Sequence, residues 1–299
     1  MIIILFINKL SKLNTNAITL IGGEPFCHPR FYDILNSIKQ QKSIDSMCIV
    51  TNGTLINEAK IFEFQDSRIT LQISLDSIHE EINCLTRGTN TLAKVLKGIR
   101  ILKANNVNMK VMQVLTSLNI DDAKEFYNYF TNQNISCGFF MVKQVEDKIK
   151  PSIPQINELL DFLFYEKGKS LQEIFNIVCF AENMLFGHEG FPITHCGAGI
   201  NTISINPNGD VFPCVKRSLP KDKITNILCN NAINQLVEFR YNVITNELVD
   251  SKDRCKNCSI KYFCGGGCRA EEYKNIPCEF NCNYFEFAVD YYFSKLYEN

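Results

Sequence analysis

Ala17-Ile18-Thr19-Leu20-Ile21-Gly22-Gly23-Glu24-Pro25 decides how this chain folds. A short run of β-branched and aliphatic residues stops abruptly at two glycines, a carboxylate and a proline, the texture of a strand turning into a loop. The same change recurs downstream. Met47–Thr51 runs into Asn52-Gly53-Thr54, and Ile69–Leu75 runs into Asp76; Met109–Leu115 and Cys137–Val142 are two further strand candidates. Between them lie helical stretches at Arg30–Gln41, Asn57–Glu63, Leu92–Ala104 and Asp121–Thr131. In Leu92–Ala104, Leu92, Val95, Leu96, Ile99 and Leu102 form one apolar stripe at helical spacing. Strands alternating with helices predict an α/β fold, with β/α crossovers around a parallel sheet that is either open or curled into a barrel. In such sheets ligands bind at the carboxyl ends of the strands.

Those ends carry unusual chemistry. Gly22-Gly23-Glu24-Pro25 lets backbone approach a ligand closely and fixes a turn; Thr51-Asn52-Gly53-Thr54 closes the second strand; Ser74-Leu75-Asp76 closes the third, with Arg87 downstream. Taken singly, each also suits a plain strand-to-helix turn. At successive strand ends they offer backbone polar groups, hydroxyls and a guanidinium to a small zwitterionic ligand.

The remainder of the chain changes character. Residues 150–190 read as helical, with Ile156, Leu159, Leu160, Leu163 and Phe164 in phase. Asn206-Pro207-Asn208-Gly209-Asp210, between Ile203 and Val211, predicts a hairpin that carries Cys214 on its return strand. Around it the cysteines fall into one pattern: Cys196-x12-Gly209-x4-Cys214, then Cys255-x2-Cys258-x5-Cys264-x3-Cys268, closed by Cys282 with Cys278 as an alternative. Converging thiolates suit zinc or an iron–sulfur cluster. Cys255, Cys258, Cys264 and Cys268 alone could make a four-thiolate zinc knuckle, but Cys196 and Cys214 have no place in one. Cys27, Cys48, Cys84, Cys137, Cys179 and Cys229 are isolated and read as small buried hydrophobes. His28, His79, His188 and His195 are isolated too. Tyr284–Tyr297 has the spacing of a terminal helix.

Composition narrows the function class. The chain has 299 residues, 45% hydrophobic, with a formal net charge of −1, which gives no electrostatic reason for nucleic acid or a membrane surface. No apolar run reaches the roughly 18 residues of a membrane span. Met1–Phe6 is apolar but short, with no basic lead and no small-residue cleavage site, so it is not read as a signal peptide. The 14 Cys cluster in CxxC and CxxxC pairs in a long chain, which predicts metal ligation in a reducing cytoplasm rather than disulfides.

Ile18–Pro29 with its Gly-Gly-Glu-Pro, Thr51–Thr54, Ser74–Asp76 and the seven-cysteine pattern resemble the radical S-adenosylmethionine (SAM) enzymes that carry a SPASM domain. The resemblance implies a partial (β/α)6 TIM-like barrel over 1–150, a helical connector over 151–190 and a small Cys-rich SPASM domain over 191–299. It implies two auxiliary [4Fe–4S] clusters, S-adenosyl-L-methionine as cofactor, a peptide or protein substrate, and a reductant such as flavodoxin or ferredoxin. Members modify ribosomally made peptides or install formylglycine in sulfatases. By the same resemblance Gly22, Gly23 and Glu24 meet the amino group of SAM, Ser74 and Arg87 are candidates for its carboxylate, and Asn52 and Asp76 belong to the same pocket. Cys196, Cys214 and Cys268 hold one auxiliary cluster, with no evident fourth ligand. Cys255, Cys258, Cys264 and Cys282 hold the other.

One family element is missing from these residues. The catalytic cluster is bound by CxxxCxxC after the first barrel strand, and here no Cys precedes Cys27. Ile2–Leu13 reads as the helix that normally follows that loop. The expectation is a barrel lacking its first strand, truncated by a misassigned start or a frameshift and inactive as it stands, with Ala17–Ile21 as a raw sheet edge. The rival expectation is a short non-catalytic iron–sulfur partner module.

Overall fold

The computed structural model describes residue 7 and residues 15–142, 149–170, 173–174, 177–179, 197–246 and 248–259, with single positions at 261, 266, 270, 294 and 297. The chain divides into two compact units, Leu10–Cys179 and a second made of Met1–Lys9 with Phe180–Asn299.

The first unit is an α/β domain on a parallel sheet. Its strands are β1 (Ala17–Leu20), β2 (Ser46–Thr51), β3 (Ile69–Ser74), β4 (Met109–Leu115), β5 (Ser136–Met141) and β6 (Val178–Cys179), hydrogen-bonded in sequence order. Every pair is parallel. Helices α1 (Phe31–Lys39), α2 (Glu80–Arg87), α3 (Leu92–Ala104), α4 (Ala123–Thr131) and α5 (Ile153–Asp161) fill the connections. Sequential parallel order is the arrangement of an open, partial barrel. Among the described residues β1 lies at the sheet edge and pairs with β2 alone.

Alternation along β3 shows how the sheet is covered. Ile69, Leu71 and Ile73 are wholly buried, whereas Thr70, Gln72 and Ser74 are only half-buried. The aliphatic face packs under helices that bury Leu35 and Ile38 of α1, Val95, Ile99 and Leu102 of α3, and Phe126 and Phe130 of α4. The other face stays polar and half-open.

Two local departures from the sequence reading have physical causes. Asn57–Glu63, expected as a helix, is instead a 3-10 turn over Glu58–Phe64. Its apolar anchors Ile61 and Phe64 sit three apart, the period that brings residues onto one edge of a 3-10 turn. Val178–Cys179 lies in a stretch that reads as helical, yet it pairs with Phe139 and Phe140 of β5, so tertiary pairing overrides local pattern.

Close packing at Gly98 positions the loop after β2. A Cβ there would lie 2.6 Å from the Gly53 carbonyl oxygen and 3.1 Å from Ile56 Cβ. Gly98→Ala would gain about 1 kcal/mol of helix propensity. The clash is with backbone that cannot rotate away, and overpacking of this kind costs about 1–3 kcal/mol. Net destabilisation of about 1 kcal/mol is therefore expected in urea unfolding, and wild-type stability would show that α3 can back away.

In the second unit β7 (Ser204–Ile205), β8 (Asp210–Phe212) and β9 (Thr225–Asn226) form an antiparallel sheet, followed by α6 (Ala232–Asn246). The β7–β8 hairpin is the one expected at Asn206–Asp210. Gly209 takes φ +88°, and its N–H donates to the Asn206 carbonyl at 2.8 Å. The expected helices at 2–13 and 284–297 fall almost wholly outside the described residues.

Candidate functional site

The loop after β1 is tied to the end of β2 by one carboxylate. Glu24 has extended backbone and caps a 3-10 turn over Pro25–Cys27. Its Oε1 accepts from the Phe26 N–H at 3.2 Å and from the Thr51 hydroxyl at 2.8 Å, and its Oε2 accepts from the Asn52 N–H at 2.7 Å. Thr51 Oγ1 in turn accepts from the Gly53 N–H at 3.0 Å. Asn52 Oδ1 accepts from both the N–H and the hydroxyl of Thr54, at 2.9 and 2.7 Å. Both oxygens of Glu24 and the carbonyl of the Asn52 amide are therefore occupied in shaping the two loops.

What this leaves open is backbone. Gly22 and Gly23 are exposed, and a Cβ at either would meet nothing within 4 Å. Among the described residues neither makes a backbone hydrogen bond outside the sheet. Their carbonyl oxygens suit an ammonium donor, and their lack of side chains lets it approach.

A second cluster closes the end of β3. The Asp76 carboxylate accepts from Thr86 Oγ1 at 2.7 Å, Arg87 Nε at 2.6 Å, Arg87 Nη2 at 3.0 Å and the Val114 N–H at 3.1 Å. Its backbone carbonyl accepts from Gln113 Nε2 and Asn119 Nδ2, and its N–H donates to Asn83 Oδ1. Asp76 thus fastens α2 and β4 to the end of β3. Arg87 is engaged through two of its nitrogens, leaving Nη1 for anything else. Ser74, at the half-open face, has a hydroxyl with no hydrogen-bond partner among the described residues.

Of the cysteines read as ligands, Cys214, Cys255 and Cys258 are among the described residues, and none of the three is in a disulfide with another described residue. Cys214 follows β8 and bridges to Arg217. Cys255 is buried, and a turn closed by the Cys258 N–H on the Cys255 carbonyl at 3.1 Å brings the two residues together. Such a CxxC turn suits shared ligation. Cys196, Cys264, Cys268, Cys278 and Cys282 lie outside the described residues.

Among the isolated cysteines, Cys137 is buried as expected, and burial pushes its thiol up to about 12. Burial also raises Cys48. Cys27 and Cys229 are instead exposed, Cys27 at the end of the Pro25–Cys27 turn and Cys229 in a turn closed by its N–H on the Asn226 carbonyl, so the small-hydrophobe reading fails for both.

Sequence reasoning missed one constellation. His79, read as isolated, lies beside Asp122 and Glu125, which follow β4 in the chain. The signal that could have found it is Asp122-x-x-Glu125, two carboxylates one helical turn apart.

Comparisons with known proteins bear on the fold and the family. The family model described as Radical SAM superfamily matches residues 4–130. A serine-type anaerobic sulfatase-maturating enzyme of Bacteroides thetaiotaomicron is 24% identical over 317 residues, covering 90% of this chain and 75% of that protein. The mycofactocin maturase MftC of Mycolicibacterium smegmatis is 24% identical, covering 89% of this chain and 69% of its own. Among solved structures, native anSMEcpe with bound AdoMet has a TM-score of 0.75 at 21% identity, covering 99% of this chain and 88% of that one. Streptococcus suis SuiB bound to S-adenosylmethionine has a TM-score of 0.69 at 17% identity, covering 90% and 66%. Among the described residues no helix is long and apolar enough to cross a membrane.

Proposed function

Residues 4–130 are a radical SAM domain, and on that premise we propose that this chain is a SPASM-type peptide or protein maturase. The observation that carries the reading is the Glu24–Thr51–Asn52 clamp, which leaves the Gly22 and Gly23 backbone open at the carboxyl end of a parallel sheet. Relatives along most of the chain are maturases, and radical SAM proteins as a family use a [4Fe–4S] cluster and SAM.

The residues present suit the methionyl end of SAM. Gly22 and Gly23 would receive its ammonium through backbone carbonyls, with Glu24 setting the shape of their loop and adding a nearby negative charge. Ser74 would donate its free hydroxyl to the SAM carboxylate, and Arg87 would offer Nη1 while Asp76 holds its guanidinium still. Asn52 would present its amide Nδ2 at the rim. When bound, SAM and its cluster supply radical chemistry; the protein supplies binding, orientation and exclusion of water.

In the second unit Cys196, Cys214 and Cys268 would hold one auxiliary [4Fe–4S] cluster, and Cys255, Cys258, Cys264 and Cys282 the other. The turn at Cys255 and Cys258 is the described part of that set. A flavodoxin- or ferredoxin-type protein would serve as reductant in a reducing cytoplasm, and the substrate would be a ribosomally made peptide or a sulfatase-like protein.

No Cys-x3-Cys-x2-Cys spacing occurs in the 299 residues. We therefore expect this chain, reconstituted anaerobically with iron and sulfide, to bind iron and SAM yet release no 5′-deoxyadenosine under reducing conditions. Equilibrium dialysis with labelled SAM and chromatography of the products decide it. Zinc without iron or labile sulfide would sink the cluster reading, absence of SAM binding would sink the SAM reading, and turnover would sink the claim of inactivity. Binding of a peptide without SAM binding would favour the non-catalytic partner module.

A further inference from the structure

We propose that His79, Asp122 and Glu125 form a three-ligand site for a divalent first-row transition ion. The site lies at the rim of the sheet's carboxyl end and has no part in the SAM reading above.

The donors come from two successive strand ends. His79 precedes α2 in the loop after β3; Asp122 ends a 3-10 turn after β4, and Glu125 lies in the first turn of α4. His79 Nε2 is 3.0 Å from Glu125 Oε2 and 3.3 Å from Asp122 Oδ1, and the three ligand atoms all lie within 4.8 Å of one another. Metal–nitrogen and metal–oxygen bonds of about 2.0–2.2 Å place neighbouring donors about 3.0–3.4 Å apart. The two distances from His79 Nε2 already match that spacing, so an ion could take the place of the hydrogen-bonding proton once the two carboxylates close on it.

The surroundings show a built arrangement rather than a solvated acidic face. The Asp122 side chain is only 5% exposed. Its second oxygen accepts from the Ser77 hydroxyl, which also accepts from the His79 N–H at 2.9 Å. One hydroxyl thus orients two of the three donors, the role of an outer-sphere partner in metal sites. Lys124, which sits between the two acids in sequence, is turned away onto Glu158 at 2.6 Å. Asp121 is occupied by Gln155 at 2.9 Å. His79 is then the one cationic group that the described residues place against both Asp122 and Glu125. A nearly buried carboxylate beside a second carboxylate calls for more positive charge than a single imidazolium brings, and a divalent ion supplies it.

One imidazole with two carboxylates suits manganese, iron or zinc, whereas the cysteine-rich unit selects soft ions. Mn2+ is therefore the probe that separates this site from the thiolates. Titrating the whole chain with Mn2+ and following the free-ion signal by electron paramagnetic resonance should show one bound ion per chain. His79→Ala and Glu125→Gln should each weaken binding at least tenfold, and Ser77→Ala should weaken it less. Glu81→Gln, a nearby acid outside the triad, should leave it unchanged.

Glu125 is 63% exposed, so its neutral variant should fold, and circular dichroism checks that it does. Mn2+ should also raise Tm in the wild type and not in Glu125→Gln. Absence of Mn2+ binding at about 1 mM, a binding free energy near −4 kcal/mol, would overturn the site. So would equal affinity in the wild type and both ligand variants, in which case the cluster is a protonated histidine shared by two acids.

Discussion

Asp76→Ala is expected to destabilise the first unit by about 3–5 kcal/mol, the cost of breaking a buried ion pair from one side. The carboxylate is 6% exposed and the Arg87 side chain 29% exposed, so most of the guanidinium would be left in a site shaped for a partner. The loss extends beyond charge, since Thr86 Oγ1 and the Val114 N–H also donate to the same carboxylate. Both hydrogen bonds are part-buried, so losing each acceptor costs less than the about 1–3 kcal/mol of a fully buried unpaired donor. Asp76→Asn keeps the shape and one acceptor, so about half the loss is expected. Asp76→Ala combined with Arg87→Met removes both charges and should recover part of the stability. Urea unfolding of the four proteins measures this. Equal stability of the single and double variants would mean that Arg87 escapes to solvent and that the pair does not hold α2 in place.

This cluster shows where sequence reading stops. Ser74, Asp76 and Arg87 are visible as polar residues at and beyond a strand end, and the resemblance assigns them all to the ligand. The structure joins two of them to each other. Whether Arg87 faces the ligand or Asp76 depends on how α2 returns to the strand, which no spacing of 11 residues fixes. Gln113 is a related case: it is fully buried on β4, its Nε2 donates to the Asp76 carbonyl, and its Oε1 has no hydrogen-bond partner among the described residues. A lone Gln inside Met109–Leu115 gives no hint of that role.

The strands themselves are legible because their pattern is strong and local. Met109–Leu115 and Leu92–Ala104 begin and end where periodicity says, and the Asn208-Gly209 turn forms because Gly209 can take the left-handed backbone a tight hairpin requires. Asn57–Glu63 reads as a helix because its anchors suit a 3-10 turn and a helix alike at that length. The His79 cluster joins residues 46 positions apart where two strand ends lie side by side, and such encounters belong to tertiary structure. The cysteine pattern is the opposite case. Its chemistry is plain in the sequence, while five of its eight positions lie outside the described residues.

Glu24→Ala is expected to lower affinity for SAM about 100-fold, about 2.7 kcal/mol. Glu24 acts here without touching the ligand. Its two oxygens hold the Thr51 hydroxyl at 2.8 Å and the Asn52 N–H at 2.7 Å, so the carboxylate fixes the distance between the glycine loop and the end of β2. Gly22 and Gly23 have no side chains to lock that loop, and without the clamp their carbonyls would sample many orientations before receiving an ammonium. Glu24→Gln keeps one acceptor, and its amide would face a second donor, so about tenfold weaker binding is expected. Thr51→Val removes a single hydroxyl and should cost less than either. Equilibrium dialysis with labelled SAM, with circular dichroism to confirm folding, separates the cases. Wild-type affinity in Glu24→Ala would place the determinant of loop shape elsewhere. An equal loss in Glu24→Gln and Glu24→Ala would point to its charge, acting on the ammonium directly, rather than to its hydrogen bonds.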